Sequence, residues 1–347
     1  FELCASKPQK VNYLSMIQKI AIIGGGLSGI VLAGQLRKSS SVTVFEKSSG
    51  VSGRMATRSA TPFEFDHGAQ FFTARSDSFK NFLLPYLANE VVAEWRPRIL
   101  TLERGKRPFK RLWYETHYVA QPRMTNLVKA IAAPINIRFK TKIDRILQLN
   151  ERWSLESGGK IVGERFDWVV SAVPAAQARE VFRASNVSLS GLSLVQYSPC
   201  FALMVGLSSC AQLNFDAALV KNSPIKWIAL NSTKTGRSKH KALVIHSCNS
   251  WARDNMESEL SDVQDQLVDE LVALTGLSIS DFNHIDIARW RYAKVSKKAP
   301  QEIYLNSPFR VGACGDWCSG NRVEDAFLSA MGLSEKLLEE ISSVSHN

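Results

Sequence analysis

A glycine-rich turn near the beginning of the chain has the spacing of a dinucleotide-binding loop. Gly24, Gly26 and Gly29 fit the pattern G-x-G-x-x-G, between a strand-like run at 19–23 and a helix-like run at 27–38. In this pattern the first glycine permits a tight turn, the second lets the backbone approach a pyrophosphate, and the third lets helix pack on strand. The amides at the start of the helix then face the phosphate charge.

An acidic residue strengthens this interpretation. Glu46 follows a second apolar run, 42–45, at the distance expected for a carboxylate that bonds ribose hydroxyls. A carboxylate there repels a 2′-phosphate, so the bound adenosine is predicted to be FAD-like or NAD-like rather than NADP-like. The alternative is an ordinary glycine-rich turn beside a surface glutamate.

The next segment favours flavin over nicotinamide. Residues 47–54, ending in Gly53-Arg54, resemble the second glycine–arginine motif of the flavin amine oxidase superfamily, with Ser52 in place of its first glycine. The resemblance implies that Arg54 lies along the FAD pyrophosphate or ribityl chain, where a planar cation suits phosphate oxygens. In the same superfamily an aspartate like Asp316 bonds a ribityl hydroxyl, and the helix after it points at the flavin pyrimidine. Asp316 could also be a simple helix cap.

Longer motifs resemble the renalase family, particularly its bacterial members. They are Phe45-Glu46-Lys47, 53–58 (GRMATR), 65–73 (FDHGAQFFT), 314–318 (CGDWC) and 322–329 (RVEDAFLS), with weaker matches at 227–232 (WIALNS) and 289–292 (RWRY). The resemblance implies a p-hydroxybenzoate-hydroxylase-like fold with a substrate domain over the flavin ring. It also implies oxidation of dihydropyridine isomers of NADH or NADPH, reduced at ring position 2 or 6, to NAD(P)⁺. The reduced flavin would pass its electrons to O2.

Motifs and resemblance together give a set of candidate site residues. Those expected to contact FAD are Gly24, Gly26, Leu27, Ser28, Gly29, Glu46, Lys47, Gly53, Arg54, Met55, Ile143, Asp316, Val323 and Glu324. Those expected beside the substrate are His67, Gln70, Trp290 and Tyr292, with Asn231 and His246 as further candidates. For His67 and the aromatic residues, structural packing is the competing interpretation. By family analogy Ile143 offers backbone groups to adenine, although the sequence alone gives an ordinary strand residue.

The pattern of elements predicts a mixed α/β protein with a Rossmann-type FAD-binding domain interleaved with an antiparallel-sheet substrate domain. Strands are expected at 19–23, 42–45, 168–173 and 309–313 in the first domain, and at 200–207, 226–231, 242–248 and 285–295 in the second. One helix, 260–274, should end at Gly276. The FAD-binding domain is assigned to 16–80, 122–175 and 300–345, the substrate domain to 81–121 and 176–299, and 1–15 to an N-terminal extension.

Composition narrows the class of protein. The formal charge of +11 favours an anionic ligand such as a dinucleotide substrate, but no nucleic-acid motif accompanies it. Two basic clusters are expected at the solvated surface: Arg96, Arg98, Arg104, Lys106, Arg107, Lys110 and Arg111, then Lys234, Arg237, Lys239 and Lys241. Six cysteines are too sparse for a disulfide framework, and Cys314 and Cys318 lack a zinc-type spacing, so no metal is expected. Most of the cysteines are expected to be reduced core residues, which predicts a cytoplasmic location. No stretch of eighteen uninterrupted apolar residues appears, and a membrane or signal-peptide interpretation of the most apolar stretch, 20–36, is the less favoured alternative.

Two alternatives stay open at this stage. One is an amine oxidase or a desaturase of the same superfamily. The other is a flavin-free lipid-binding chaperone, because the Rab GDP-dissociation inhibitors share this fold. The complete set of FAD-type residues argues against the chaperone, and the oligomeric state is left open.

Overall fold

The structure is a computed structural model that describes residues 17–185 and 187–344. The extension predicted at 1–15, and with it Cys4, lies outside the described residues. The strands of the described residues are β1 (Lys19–Ile23), β2 (Ser41–Phe45), β3 (Arg58–Ala60), β4 (Phe63–Phe65), β5 (Val92–Trp95), β6 (Ile99–Leu102), β7 (Phe109–Lys110), β8 (His117–Ala120), β9 (Asn136–Arg138), β10 (Arg145–Leu149), β11 (Arg152–Ser157), β12 (Lys160–Phe166), β13 (Trp168–Ser171), β14 (Gln196–Leu207), β15 (Ala217–Val220), β16 (Ile225–Leu230), β17 (Ala242–Ser247), β18 (Phe282–Lys297), β19 (Tyr304–Asn306) and β20 (Val311–Ala313). The α-helices are α1 (Leu27–Leu36), α2 (Asp77–Ala88), α3 (Thr125–Ala132), α4 (Ala175–Phe182), α5 (Asn249–Asp254), α6 (Leu260–Thr275), α7 (Asp316–Ser319) and α8 (Val323–Val344).

One sheet carries the glycine-rich turn. Its strand order is β19-β20-β13-β1-β2-β9, and only β19 is antiparallel to its neighbour. Residues 20–23 of the central strand are buried, as expected where both faces of a parallel sheet are covered. Side chains of α1, α3 and α8 pack on one face, whereas α4 and the meander β10-β11-β12 cover the other. The βαβ unit predicted from the sequence is confirmed, with α1 ending at Leu36, two residues before the expected Lys38.

A second sheet forms from the middle of the chain. Its order is β18-β14-β17-β16-β15-β6-β7, and α6 packs on one face of it. The predicted antiparallel sheet is confirmed except for one pair, because β6 arrives from an earlier part of the chain and lies parallel to β15. Gly276 ends α6 with φ +71°, the left-handed conformation expected of a C-terminal glycine.

The segment between β4 and α2 runs between the two sheets. Phe72 exchanges backbone hydrogen bonds with Tyr118 of β8 (2.9 and 2.7 Å), and Ser76 caps α2 by accepting from the amide of Phe79. The C-terminal part of this segment is therefore fixed by β8 and by the start of α2. No helix among the described residues combines the length and apolarity needed to cross a bilayer.

Two glycines of α1 give a matched test of the turn. A Cβ added at Gly29 would overlap the carbonyl oxygen of Gly24, whereas a Cβ at Gly34 would meet no atom within 4 Å. We expect Gly29→Ala to lower the free energy of unfolding by about 1–3 kcal/mol, because a backbone atom cannot move aside. Gly34→Ala should raise it by about 0.5–1 kcal/mol through helix propensity. Urea unfolding of both variants checks this, and equal effects would show that β1 and α1 pack differently.

Candidate functional site

The glycine-rich turn forms a cradle at the carboxyl end of β1. Gly24 has φ +111°, and a Cβ at Gly26 would meet nothing within 4 Å. Gly26 is also the N-cap of α1, with no side chain bonded to the helix start. The first-turn amides of Leu27, Ser28 and Gly29 thus lie at a helix N-terminus beside open space, the arrangement that binds phosphate.

Glu46 lies beside this cradle and braces it. Its carboxylate accepts from the backbone amides of Gly25 (2.7 Å) and Ser48 (2.8 Å), and the side chain is buried. A carboxylate has about four acceptor positions, so both oxygens can still accept from ribose hydroxyls. The predicted contact with ribose remains a prediction. Neighbouring Lys47 is exposed.

The second and third motifs meet in one ion pair. The Arg54 guanidinium donates to both carboxylate oxygens of Asp316, at 2.8 and 2.6 Å, although the residues are 262 positions apart. Burial lowers the pKa of Arg54, but the Asp316 charge and hydrogen bonds outweigh it and raise the pKa above the usual value. The fork geometry fixes both side chains beside the turn where Met55 is buried.

Ser52, the residue before Gly53, adopts a glycine-like conformation. Its φ is +140°, and its amide donates to the carbonyl of Gly25 (3.0 Å), which ties it to the cradle. Gly53 follows with φ +54°, and a Cβ there would press on the Gly26 Cα. A serine at the φ of Ser52 is strained. The close approach of this residue to the glycine-rich turn therefore costs conformational free energy.

The segment containing His67 and Gln70 packs directly against Arg54. The amide of Ala69 donates to the Arg54 carbonyl (2.8 Å), and a Cβ at Gly68 would overlap that carbonyl oxygen. Only glycine therefore permits this approach. Gln70 is buried and donates to the carbonyl of Asp66.

A buried ion cluster joins this segment to the second sheet. Asp66 accepts from Lys234 Nζ (3.1 Å) and from the Arg237 guanidinium (2.7 Å). Lys234 Nζ also donates to Gln70 Oε1 (3.3 Å) and Asn231 Oδ1 (2.7 Å). The side chains of Lys234 and Arg237 are 0% and 2% exposed, so the sequence-based placement of this cluster on the solvated surface is wrong for these two. The sequence of this basic run does not show that two of its side chains are buried and paired with an aspartate far away in the chain.

Charge interactions set the protonation states in this cluster. Burial raises the pKa of Asp66, but the two cations and a hydrogen bond from Thr57 outweigh it and lower the pKa to about 2. Burial lowers the pKa of Lys234 to about 8, despite the opposing effect of Asp66. The cluster therefore holds two cations and one anion at neutral pH.

His67, His246 and Trp290 meet at one backbone carbonyl. The His67 carbonyl accepts from Trp290 Nε1 (3.1 Å) and lies 3.2 Å from His246 Nε2, and the rings of His67 and Trp290 are 5.2 Å apart. Burial lowers the pKa of both histidines to about 4, so both are neutral at pH 7. His67 Nδ1 is buried and has no hydrogen-bond partner among the described residues.

The other predicted residues are more widely spread. Tyr292 contacts the ring of Tyr197 (5.2 Å), while Arg291 points to the opposite side and pairs with Glu257. Glu324, at the start of α8 after Val323, accepts from the amides of Arg75 and Ser76, so its carboxylate anchors α2. Ile143 is buried in the loop between β9 and β10 and does not belong to a strand.

The described residues fit an FAD molecule. The space at the Gly26 Cα and the uncapped amides suit a pyrophosphate, Glu46 suits a ribose, and Arg54 and Asp316 suit the chain towards the flavin ring. The unpartnered His67 Nδ1 lies in the segment next to Arg54.

Comparisons with known proteins agree with this architecture. A family model described as an NAD(P)-binding Rossmann-like domain matches residues 22–84. A putative protoporphyrinogen oxidase from Exiguobacterium sp. 255-15 superposes with a TM-score of 0.75 at 12% identity, over 93% of this chain and 99% of that one. Cyclohexylamine oxidase from Brevibacterium oxydans IH-35A gives 0.72 at 13% identity, over 94% and 100%. An oxidoreductase from Methanosarcina mazei gives 0.66 at 14%, over 91% and 100%. The chain has the fold of these oxidases.

The strain at Ser52 predicts a stabilising change. Ser52→Gly should raise the free energy of unfolding by about 1 kcal/mol, because relief of strain exceeds the added entropy of the unfolded chain. Ser49→Gly, at an exposed neighbour without positive φ, should lower it slightly. Denaturant unfolding measures both, and a loss of stability in Ser52→Gly would contradict the strain.

The buried histidines predict sensitivity to acid. Their folded pKa of about 4 lies below the ordinary 6.5, so the stability they provide is complete above pH 6.5 and is lost as pH falls towards 4. The thermal unfolding midpoint should fall over this range, and less steeply in His246→Gln, which keeps a donor for the His67 carbonyl. His240→Gln, at an exposed position, is the control. If the unfolding midpoint falls equally steeply with pH in the wild type and in His246→Gln, burial of His246 does not cause the acid sensitivity.

Proposed function

We propose that the chain is an FAD-dependent oxidoreductase of the renalase type, which oxidises the 2- or 6-dihydro isomers of NAD(P)H to NAD(P)⁺. The observation that carries the proposal is the contact between three motifs: the glycine cradle, the Arg54–Asp316 pair, and the segment 66–70 that packs on Arg54. FAD, when bound, supplies a two-electron acceptor for hydride. O2 is the proposed final acceptor, so that substrate, O2 and one proton give NAD(P)⁺ and H2O2.

The side chains around the proposed substrate position can orient a ring but offer no strong base. His67 and His246 are neutral at pH 7, and Asp66 is fully paired. Lys234 donates to three acceptors, which hold it in place. Hydride transfer from an electron-rich dihydropyridine needs alignment and exclusion of water rather than proton abstraction. Gln70, His67, Trp290 and Tyr292 are the proposed orienting residues.

Positive charge near the site suits the same substrate. The Asp66 cluster carries two cations for one anion, and the chain as a whole has a formal charge of +11. A dinucleotide with two or three phosphates is attracted by this field, whereas a simple alkylammonium ion is repelled. This favours the dinucleotide over an amine substrate of the same fold.

Anaerobic mixing tests the proposal. The FAD-loaded protein is mixed separately with the 2- and 6-dihydro isomers, ordinary NADH and simple alkylamines, and the visible absorbance of oxidised flavin is followed. We expect fast bleaching by at least one isomer and slow or no bleaching by NADH and amines. Bleaching by amines alone would assign the chain to amine oxidation instead. A colourless protein that resists loading with FAD would favour the flavin-free chaperone.

A further inference from the structure

Four aromatic rings gather around that of Phe71, the residue after Gln70. The Phe71 ring lies 4.0 Å from His117, 5.8 Å from Trp227, 6.2 Å from Trp113 and 6.3 Å from Trp95, measured between centroids. The residues come from the segment next to Arg54, the β5–β8 pair, β16 and the loop before β8. We call this group the aromatic cage.

The cage contains polar atoms that lack partners. Trp95 Nε1, Trp227 Nε1 and His117 Nε2 are buried and have no hydrogen-bond partner within the described ranges 17–185 and 187–344. Trp95 and His117 are 3% exposed, and Trp227 is 9% exposed. Buried indole N–H groups are almost always bonded, and each one left unpaired costs about 1–3 kcal/mol. Two such indole groups and the His117 ring nitrogen in one cluster indicate a place where a ligand completes the hydrogen bonds.

Other tryptophans of the chain show the ordinary pattern. Trp153 Nε1 donates to the Phe309 carbonyl (2.9 Å), Trp317 Nε1 to the Val173 carbonyl (3.2 Å), and Trp290 Nε1 to the His67 carbonyl. Among the described residues, the buried indole N–H groups without a partner are those of Trp95 and Trp227, and both belong to the cage. Its position matters as well, because Phe71 is two residues from Ala69, whose amide bonds the Arg54 carbonyl.

A basic loop lies next to the cage. Residues 104–111 carry five cations, and Arg107, Lys110 and Arg111 are exposed with no carboxylate partner among the described residues. The Arg111 guanidinium lies over the Trp113 ring at 5.5 Å, which links the loop to the cage. A ligand with a planar acceptor-bearing ring and an anionic tail matches both parts.

We propose that the aromatic cage and the loop 104–111 form the recognition site for the substrate's dinucleotide body. The cage binds a planar ring whose oxygen or nitrogen acceptors meet the N–H groups of Trp95 and Trp227, and Arg107, Lys110 and Arg111 bind the phosphates. His117, neutral because burial lowers its pKa to about 4, supplies one further donor or acceptor. This inference rests on the proposed function, since it names how that substrate is held.

Binding of a stable product tests the cage without turnover. The FAD-loaded protein is titrated calorimetrically with NAD⁺, nicotinamide and ADP. Trp95→Phe and Trp227→Phe keep a ring but remove the donor, and each should weaken NAD⁺ about two- to tenfold, the value of one hydrogen bond. Trp153→Phe, which loses a partnered N–H elsewhere, is the control and should leave affinity unchanged.

The loop is tested in the same titrations. The double variant Lys110→Gln/Arg111→Gln should weaken NAD⁺ and ADP alike and reduce the dependence of binding on salt. The double variant Lys129→Gln/Lys160→Gln, at exposed positions of α3 and β12, removes the same number of charges and is the matched control; it should have no effect. Comparing NAD⁺, nicotinamide and ADP shows which moiety the cage holds.

The outcomes separate this inference from the proposed function. Unchanged NAD⁺ affinity in both tryptophan variants, an equal loss in Trp153→Phe, or no binding of any probe would overturn the cage even if the isomers bleach the flavin. Weaker binding in the cage variants without any bleaching by the isomers would overturn the proposed reaction and leave the recognition site standing.

Discussion

The site depends on the burial of one carboxylate. Asp66 has no exposed surface, and an isolated ionised carboxylate in that position would cost far more free energy than the protein can spare. It is tolerated because Lys234, Arg237, Thr57 and the amide of Met124 all donate to it. Each donor that is lost removes part of the interaction energy that offsets the burial of this carboxylate, so these residues must come together in the folded state.

That requirement ties the segment 66–70 to the residues that follow β16 of the second sheet. Asp66 follows β4, while Lys234 and Arg237 follow β16, and the remaining donor atoms of the two cations reach Asn231, Gln70 and the Ala120 carbonyl. The cluster thus joins three parts of the chain: the segment 66–70, the residues that follow β16, and the end of β8. The segment 66–70 is fixed from one side by the cluster and from the other by Arg54, whose geometry is fixed in turn by Asp316. The cradle for the dinucleotide and the proposed substrate side are consequently parts of one network.

The sequence predicted those features that depend on local spacing. β1, α1 and β2, the end of α6 at Gly276, and the antiparallel middle sheet follow from periodicity and glycine placement, and the structure confirms them. The parallel pair of β6 and β15 was not predictable, because nothing in either strand specifies a partner more than a hundred residues away.

Side-chain burial was harder to predict than backbone structure. Lys234 and Arg237 lie in the same basic run as Lys239, which is exposed. The two buried cations differ from Lys239 in their pairing with Asp66, which is 168 residues from Lys234 in the sequence. The aromatic residues were equally ambiguous, since Phe71 and Phe72 are adjacent but have different roles. Phe72 packs on Phe79 in the core, whereas Phe71 is only half-buried among the cage rings.

The same network limits the chemistry that the site can perform. Proton abstraction requires a group that changes charge near neutral pH and can reach the substrate. Among the groups of the cluster, Lys234 has the pKa closest to neutral, about 8. Its ammonium group is held by three acceptors, however. Release of its proton would leave Arg237 as the only cation paired with Asp66. The histidines stay neutral well below pH 7. A site built from saturated ion pairs and neutral rings is suited to holding a reactant in place, which is the demand that hydride transfer makes.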